Sequence, residues 1–292
     1  MNDCALHKEL ITALEWYVDN GVTDILMEEA IDRTQSIDPP PVMIEQGYQQ
    51  NDAGMPATLP QELAAQMPPA GVGAPAFLGK ADAREEAIKL AKAASTLDEL
   101  RETIAEFDGI ALKKTATNMV FSDGNLKADI MLIGDAPGAD EDRVGKPFVG
   151  SEGHLLDRIL HSIDIDRSED DPKKSVYISN ILNWRPPGNR TPSPAEIEVS
   201  LPFIERHIAL VQPKILILCG GGAAKSLLGS SLSISRLRKS WHAYKPQTEG
   251  LGLSGEIPAI ATYHPSVLLK TPVQKKAVWA DMLMLQEKRL IV

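Results

Sequence analysis

The sequence predicts an α/β fold: a three-layer αβα sandwich with a central four-stranded, mostly parallel sheet, plus a helical N-terminal extension. Two observations support this prediction. From about residue 80 onward, short apolar runs of strand length alternate with amphipathic segments of helical period, a pattern typical of parallel sheets covered by helices on both faces. The first 79 residues lack this alternation and differ in composition.

The N-terminal part is predicted to hold two segments ahead of the main domain. Residues 1–35 have helical periodicity around a break at Gly21, whereas residues 36–79 scatter prolines among Gln, Ala and Gly, as in a semi-extended linker. The domain itself is predicted over residues 80–292. It opens with a helix over residues 80–107, in which Thr96-x-x-Glu99 is a capping signal that restarts the helix.

The four strands are predicted from apolar runs that end in glycine or polar residues, at Asp129–Gly134, Ser175–Ile181, Lys214–Cys219 and Ile257–Tyr263. The segments between and after them have helical spacing, at Gly153–Ile163, 194–210, a short stretch up to Leu228, and Pro272–Lys288. Ligands of such folds bind at the carboxyl ends of the strands. The unusual residue clusters of this chain follow those strand ends.

Composition excludes several classes of protein. No apolar run approaches the ~20 residues of a membrane span, and the N-terminus lacks the layout of a secretory signal, so we expect a soluble, cytoplasmic protein. Cys4 and Cys219 are the two cysteines, too few for a disulfide scaffold or a Cys-built zinc or iron–sulfur site. The net charge is −10, yet residues 181–292 contain 14 basic and 7 acidic residues. This basic half is either a phosphate-binding face or ordinary solvated surface.

Two clusters follow the first strand. The turn Gly134-Asp135-Ala136-Pro137-Gly138 exposes backbone N–H groups and presents Asp135, although a plain strand-to-loop turn explains it as well. Phe148, between Pro147 and Gly150, is suited to stack on a flat ring, or else anchors its loop in the core.

Three more clusters follow the other strands. Asn180 ends the second strand, where its amide offers a donor and an acceptor that match the edge of a pyrimidine. The alternative is that this amide makes hydrogen bonds to the backbone of a loop. Arg185 and Arg190 lie on a proline-rich loop. This loop either binds phosphates through the two guanidinium groups or is only a rigid connection. His264 precedes Pro265 at the end of the fourth strand and is a candidate donor for developing negative charge.

The order of these motifs resembles the family 4 uracil-DNA glycosylases, over about residues 107–287. The motifs are GDAPGADEDRVGKPFVG, YISN, RPPGNRTPSP, a GGG-containing strand end and HPSVLL. The N-terminal 80 residues look like the variable extension of some bacterial members. The resemblance implies a monofunctional DNA repair enzyme that flips deoxyuridine out of the stack and hydrolyses its N-glycosidic bond.

The resemblance also implies roles for individual residues. Asp135 and the turn formed by Gly134, Ala136, Pro137 and Gly138 would line the sugar and position the attacking water, and His264 would stabilise charge on uracil O2. Phe148 would stack on uracil and Asn180 would recognise its O4 and N3–H edge. DNA contacts would come from Arg185, Arg190, Arg236, Arg238 and Ser266, and either Leu268 or Leu269 would insert into the vacated stack.

Two departures from the family pattern are present. Asp135 stands where the family usually has Glu, which shortens the carboxylate by one methylene. The four cysteines that hold the family's [4Fe–4S] cluster align with Phe107, Ile110, Trp184 and Ser200. We therefore expect no metal and no cofactor, with apolar packing in the volume of the cluster.

Three other hypotheses about the function are compatible with the sequence. A catalytically silent relative would bind DNA without hydrolysis, and an interaction protein would recruit a repair partner through residues 1–80. A nucleotide site at Gly220–Gly222 is the weakest, because no acidic ribose ligand follows at the expected spacing. The predicted protein is a bacterial, cytoplasmic monomer whose partner is uracil-containing DNA.

Overall fold

The structure is a computed structural model that describes residues 80–253 and 255–290. The predicted N-terminal helical segment (1–35) and proline-rich linker (36–79) lie outside the described residues. Within the described part there are nine α-helices: α1 Lys80–Ala93, α2 Leu97–Glu106, α3 Ala139–Val144, α4 Gly150–His161, α5 Pro194–Val211, α6 Gly221–Leu227, α7 Ile234–Leu237, α8 Pro265–Lys270 and α9 Lys275–Arg289. None of these helices is long and apolar enough to cross a membrane.

The sheet has six strands, so the predicted count of four was wrong. The strands are β1 Asp123–Gly124, β2 Ile130–Gly134, β3 Val176–Asn180, β4 Ile215–Cys219, β5 Trp241–Tyr244 and β6 Ile257–Thr262, in the order β1-β3-β2-β4-β6-β5. The central four, β3, β2, β4 and β6, are parallel and match the predicted runs. Strands β1 and β5 are antiparallel edges. The first has two residues and the second is only partly buried, so neither forms a continuous apolar run.

Both faces of the sheet are covered by helices, which gives the predicted three layers. Met131 and Ile133 of β2 join a core with α5 and α6, whereas Ile130 and Leu132 join a second core with α4, α8 and α9. This division follows from the alternation of side chains along a strand. The carboxyl ends of the four parallel strands therefore meet at one edge between the two helical layers.

Helices α1 and α2 pack beside α5 in a third apolar cluster. The predicted restart at Thr96 is confirmed: its Oγ1 accepts a hydrogen bond from the N–H of Glu99 (3.2 Å), and Ser95 N–H donates to Oε2 of Glu99 (2.7 Å). These bonds satisfy N–H groups at the start of α2 that have no partner within the helix. They separate α2 from α1, so the segment is a pair of helices rather than one.

Candidate active site

A cleft of about 430 Å³ opens at the carboxyl edge of the sheet. Its walls come from the segments that follow all four parallel strands, as expected for a ligand site in an open α/β sheet. The lining residues include Asp135, Ala136, Pro137, Gly138, Glu152, Arg190, Gly220, Tyr263, His264, Ser266 and Lys270. The structure thus brings together predicted site residues that are up to about 130 positions apart in the chain.

Asp135 is held by the first turn of α6. Its Oδ1 accepts a hydrogen bond from the N–H of Ala223 (2.5 Å), and a Cβ at Gly220 or Gly222 would lie within 3 Å of the carboxylate. Burial raises the pKa of Asp135, and backbone hydrogen bonds from Ala223 and Gly222 oppose that rise. The glycine run Gly220–Gly222, which was considered as a nucleotide site, therefore packs against the carboxylate of Asp135.

Gly134, Phe148 and Asn180 form a compact group below the cleft. A Cβ at Gly134 would lie 2.6 Å from Cζ of Phe148 and closer still to Oδ1 of Asn180. The Asn180 side chain is buried and makes no hydrogen bond to any described residue. Its donor and acceptor thus remain available to a ligand.

Phe148 has a left-handed backbone conformation, with φ of 49°, which is strained for a bulky residue. The Arg167 guanidinium donates to the carbonyl oxygens of Pro147 and Phe148 at 3.2 and 3.0 Å. A Cβ at Gly153 would overlap the Phe148 carbonyl, so α4 can begin directly against this loop. Arg167 was absent from the sequence prediction, because it lies about twenty residues away in the chain and belongs to no motif.

Glu141 joins the two loops that carry Asp135 and Phe148. Its Oε2 accepts from the N–H of Gly138 and its Oε1 accepts from the N–H of Val149, both at 3.1 Å. Glu141 was not predicted from the sequence, although it lies within a motif. Nothing in the local pattern separates it from the neighbouring acids.

His264 caps the N-terminus of α8. Its Nδ1 accepts from the N–H of Ser266 (3.3 Å) and lies 2.9 Å from Oγ of the same residue. A ring nitrogen that accepts a backbone N–H carries no proton, so the imidazole proton is assigned to Nε2. Burial lowers the pKa of His264 to about 4, which keeps the ring neutral at pH 7. Its ring centroid is 5.2 Å from that of Phe148.

Glu152, which was also not predicted from the sequence, lies beside His264 in the cleft. Its Oε2 is 3.7 Å from Nδ1 of His264. Burial, followed by the charge of Glu141, raises the pKa of Glu152, whereas Lys270 lowers it.

Three of the predicted basic DNA contacts are compatible with the structure. Arg185 donates to Asn189 Oδ1 (2.7 Å) at the start of its loop, and Arg190 makes two bonds to Glu196 (2.9 and 2.6 Å) while remaining exposed. Arg236 is exposed on α7. Arg185 and Arg190 lie on the loop that follows β3, whereas Arg236 lies on α7, which follows α6.

Two of the residues predicted to contact DNA are largely buried in the structure. Arg238 is 12% exposed and its Nε and Nη2 are engaged by Asp281 (2.7 Å) and by the Ala277 carbonyl. Leu268 is fully buried in the core between α8 and the sheet, because α8 turns that side chain inward. Its neighbours Val267 and Leu269 are exposed by 37% and 45%, which leaves them as the apolar side chains that α8 presents to solvent.

The positions aligned with the family's cluster cysteines do not fit a [4Fe–4S] cluster. Phe107, Ile110 and Trp184 belong to one apolar cluster with α1 and α2, and Phe107 packs edge-to-face on Phe203 at 5.2 Å. Ser200 is buried as well. None of the four offers the thiolate that such clusters require. Over the described ranges, no group of three or more His, Cys, Asp or Glu residues could hold a metal ion.

The chain is similar in sequence to known proteins over the part that forms this site. Residues 121–283 match the model of the uracil DNA glycosylase superfamily. The type-4 uracil-DNA glycosylase of Pyrobaculum aerophilum is 33% identical over 188 residues, which are 64% of this chain and 92% of that protein. The type-4 enzymes of Archaeoglobus fulgidus and Thermotoga maritima are each 34% identical, over 64% and 60% of this chain and 89% and 86% of theirs. The family match covers more than half of this chain and contains every strand-end motif. The chain therefore belongs to the uracil-DNA glycosylase superfamily and, within it, to the type-4 family.

Proposed function

We propose that this protein hydrolyses the N-glycosidic bond of uracil in DNA, as a monofunctional repair glycosylase that leaves an abasic site. The observation that carries the proposal is the convergence of Gly134, Phe148, Asn180 and His264 at one edge of the sheet. The family membership supports the same reaction. Because the group lies below the cleft, the substrate nucleotide has to leave the base stack, which costs a few kcal/mol.

Uracil is recognised by the free amide of Asn180. The amide donates to uracil O4 and accepts from N3–H, whereas cytosine presents the opposite pattern of donor and acceptor at these positions. Phe148 supplies a flat face on which the base stacks. Gly134 leaves the space beside both side chains that the ring occupies.

Bond cleavage is assisted by His264. As the C1′–N1 bond breaks, its electron pair moves onto the uracil ring and negative charge develops on O2, to which the neutral Nε2–H donates. An oriented donor in a site shielded from water stabilises such charge without giving up its proton. The sugar becomes oxocarbenium-like, and a water held by the Asp135 carboxylate adds to C1′. The proton that this water loses neutralises the uracil anion, so that neutral uracil leaves and an abasic sugar remains.

DNA binding outside the base pocket involves Arg185, Arg190 and Arg236 with backbone phosphates, and Ser266 at the start of α8. In place of Leu268, the exposed Leu269 or Val267 fills the gap left by the flipped nucleotide. Lys270 lines the cleft but belongs to no position at which the family resemblance implies a nucleophile. We therefore expect hydrolysis without strand cleavage.

The apolar cluster around Phe107, Ile110 and Trp184 takes the structural place of the iron–sulfur cluster. Large apolar side chains at three of the four positions fill volume that thiolates and iron would occupy. Their packing between α1, α2 and α5 supports a fold that is held together without a metal.

Binding of DNA without catalysis is the second candidate, and one observation favours it. The Asp135 carboxylate already accepts backbone hydrogen bonds from Ala223 and Gly222, which reduces its capacity to hold water, and its side chain is one methylene shorter than the usual Glu. Three statements remain predictions from the sequence: a repair-protein partner for residues 1–80, the monomeric state and the bacterial cytoplasmic location.

The deciding experiment is base release from a labelled single-uracil oligonucleotide, single- and double-stranded, followed by alkaline cleavage at abasic sites. We expect a uracil-dependent product that requires alkali for strand cleavage and is lost in His264→Ala. Salt-sensitive DNA binding without product would favour the silent binder. Strand cleavage before alkali would contradict the monofunctional assignment.

A further inference from the structure

A buried ion pair lies behind the cleft and joins α7 to α9. Arg238 donates to both carboxylate oxygens of Asp281, at 3.0 and 2.7 Å, and also to the carbonyl oxygen of Ala277. The side chains of Arg238 and Asp281 are only 12% and 1% exposed. A charge pair removed from water this thoroughly is costly unless its geometry is well satisfied, and its disruption leaves an uncompensated charge.

Thr262, the last residue of β6, is the third member of this network. Its Oγ1 donates to Oδ2 of Asp281 at 2.8 Å. Because Arg238 and Thr262 approach Asp281 from different elements, the carboxylate determines where the end of β6 lies relative to α7 and α9.

The end of β6 is connected to both candidate catalytic residues. The Thr262 carbonyl accepts from the N–H of Gly220 at 2.9 Å, and Gly220 begins the turn against which the Asp135 carboxylate packs. In the other direction, His264 follows Thr262 by two residues.

Tyr263, between them, is held on two sides. The Arg238 guanidinium carbon lies 5.3 Å from the centre of the Tyr263 ring, and the Tyr263 hydroxyl lies 2.9 Å from Oγ of Ser235 on α7. The segment that carries His264 is thus attached to the ion pair through side chains as well as through the backbone.

We propose that Asp281 is a positioning residue for base excision, which acts through Thr262 and Arg238 to place both Asp135 and His264. Asp281 does not line the cleft, so its effect is on geometry. The inference rests on the proposed function, since positioning is expressed in the rate of uracil release. A displacement of about 1 Å at reacting groups lowers rates by about 100-fold.

Two variants that preserve side-chain shape test the proposal. Asp281→Asn removes the charge, and Thr262→Val removes the hydroxyl while keeping the branched Cβ. The matched control is Asp129→Asn, which removes a carboxylate directly before β2 from an ion pair with Lys214 (3.2 Å), at the amino ends of the strands. The assays are single-turnover uracil release and DNA affinity by fluorescence anisotropy, below the melting temperature of every variant.

We expect the release rate to fall about 10- to 100-fold in Asp281→Asn and about 3- to 10-fold in Thr262→Val. The Kd for DNA should change by less than about threefold in both, and the control should match the wild type in both measurements. An unchanged rate in Asp281→Asn would overturn the proposal. So would a loss of affinity equal to the loss of rate, because a general loss of structure moves both.

A readout independent of activity is the ¹⁵N NMR signal of the His264 imidazole, assigned by its absence in His264→Gln. We expect Asp281→Asn and Thr262→Val to shift this signal and Asp129→Asn to leave it in place. Unshifted signals in both test variants would refute the positioning role. If the wild type releases no uracil, the proposed function fails, and this measurement alone still decides whether Asp281 positions His264.

Discussion

Replacement of Gly134 by alanine tests the geometry of the base pocket most directly. The added methyl would lie 2.6 Å from Cζ of Phe148 and closer still to Oδ1 of Asn180, whereas ordinary contacts begin at 3.4 Å. Gly134 has no positive φ, so the change is purely steric. One or both neighbours must move by about 1 Å, which predicts a fall in the uracil-release rate of about 100-fold, or about 2.7 kcal/mol.

Gly221→Ala is the matched control. Gly221 lines the same cleft, but its added Cβ would meet only Cβ of Ile234, at 3.9 Å. We expect its rate to stay within about twofold of wild type and its stability to rise by about 0.5–1 kcal/mol, because alanine favours the first turn of α6.

Single-turnover release at saturating enzyme gives the rates, and thermal unfolding separates pocket damage from loss of fold. Overpacking at Gly134 should cost about 1–3 kcal/mol of stability, which leaves a folded protein for assay. A folded Gly134→Ala protein with the wild-type rate would refute the assignment of this group as the uracil pocket.

Four further predictions concern other parts of the molecule. Asn180→Asp should lower uracil release by about 1000-fold, because a carboxylate cannot donate to O4; unchanged turnover would remove the amide from base recognition. Acid should destabilise the protein between pH 6.5 and 4.5, because the unfolded chain binds protons at His207 and His264 near pH 6.5 whereas burial lowers their folded pKa values to about 3 and 4. The effect at His207 alone is about 2–3 kcal/mol at pH 4.5, measurable by urea unfolding, and His207→Gln should reduce it. The purified protein should lack the broad visible absorbance of iron–sulfur clusters, and stoichiometric iron would contradict the apolar-packing proposal. Arg236→Gln should reduce the slope of log affinity against log salt by about 1, whereas Arg238→Gln should chiefly lower the melting temperature; a reversed pattern would show that the buried pair opens to bind DNA.

The central sheet could be predicted because its evidence is local. Each parallel strand, such as Ile215–Cys219, is a short apolar run buried on both faces. Such a run can be recognised from the sequence alone. The edge strand Trp241–Tyr244 alternates in neither burial nor polarity. It pairs antiparallel with β6, whereas the four central strands are parallel. Its pairing depends on the sheet already present beside it.

The candidate site shows the same division. Asp135, Asn180 and His264 were identified because they lie at or just after strand ends, which parallel strands bring to one edge. Phe148 was identified from its place between a proline and a glycine on a loop. Arg167, by contrast, reaches the Phe148 carbonyl from another part of the chain, and no motif records such a bond.

The direction in which a side chain points from a helix could not be predicted from the sequence. Leu268 and Leu269 are adjacent and equally apolar, and the direction in which α8 packs buries the first and exposes the second. Arg236 lies on α7 and Arg238 directly follows it, so the two point in different directions, one toward solvent and the other toward Asp281.

The sequence by itself determined the α/β class, the positions of the four parallel strands, the edge at which the site lies and the residue types that meet there. These follow from local periodicity and from the direction of parallel strands. Tertiary structure alone decided which oxygen of Asp135 is already bonded, which nitrogen of His264 carries the proton, and which arginine and leucine face solvent. Those properties depend on contacts between residues far apart in the chain, and such contacts exist only once the helical layers have packed on the sheet.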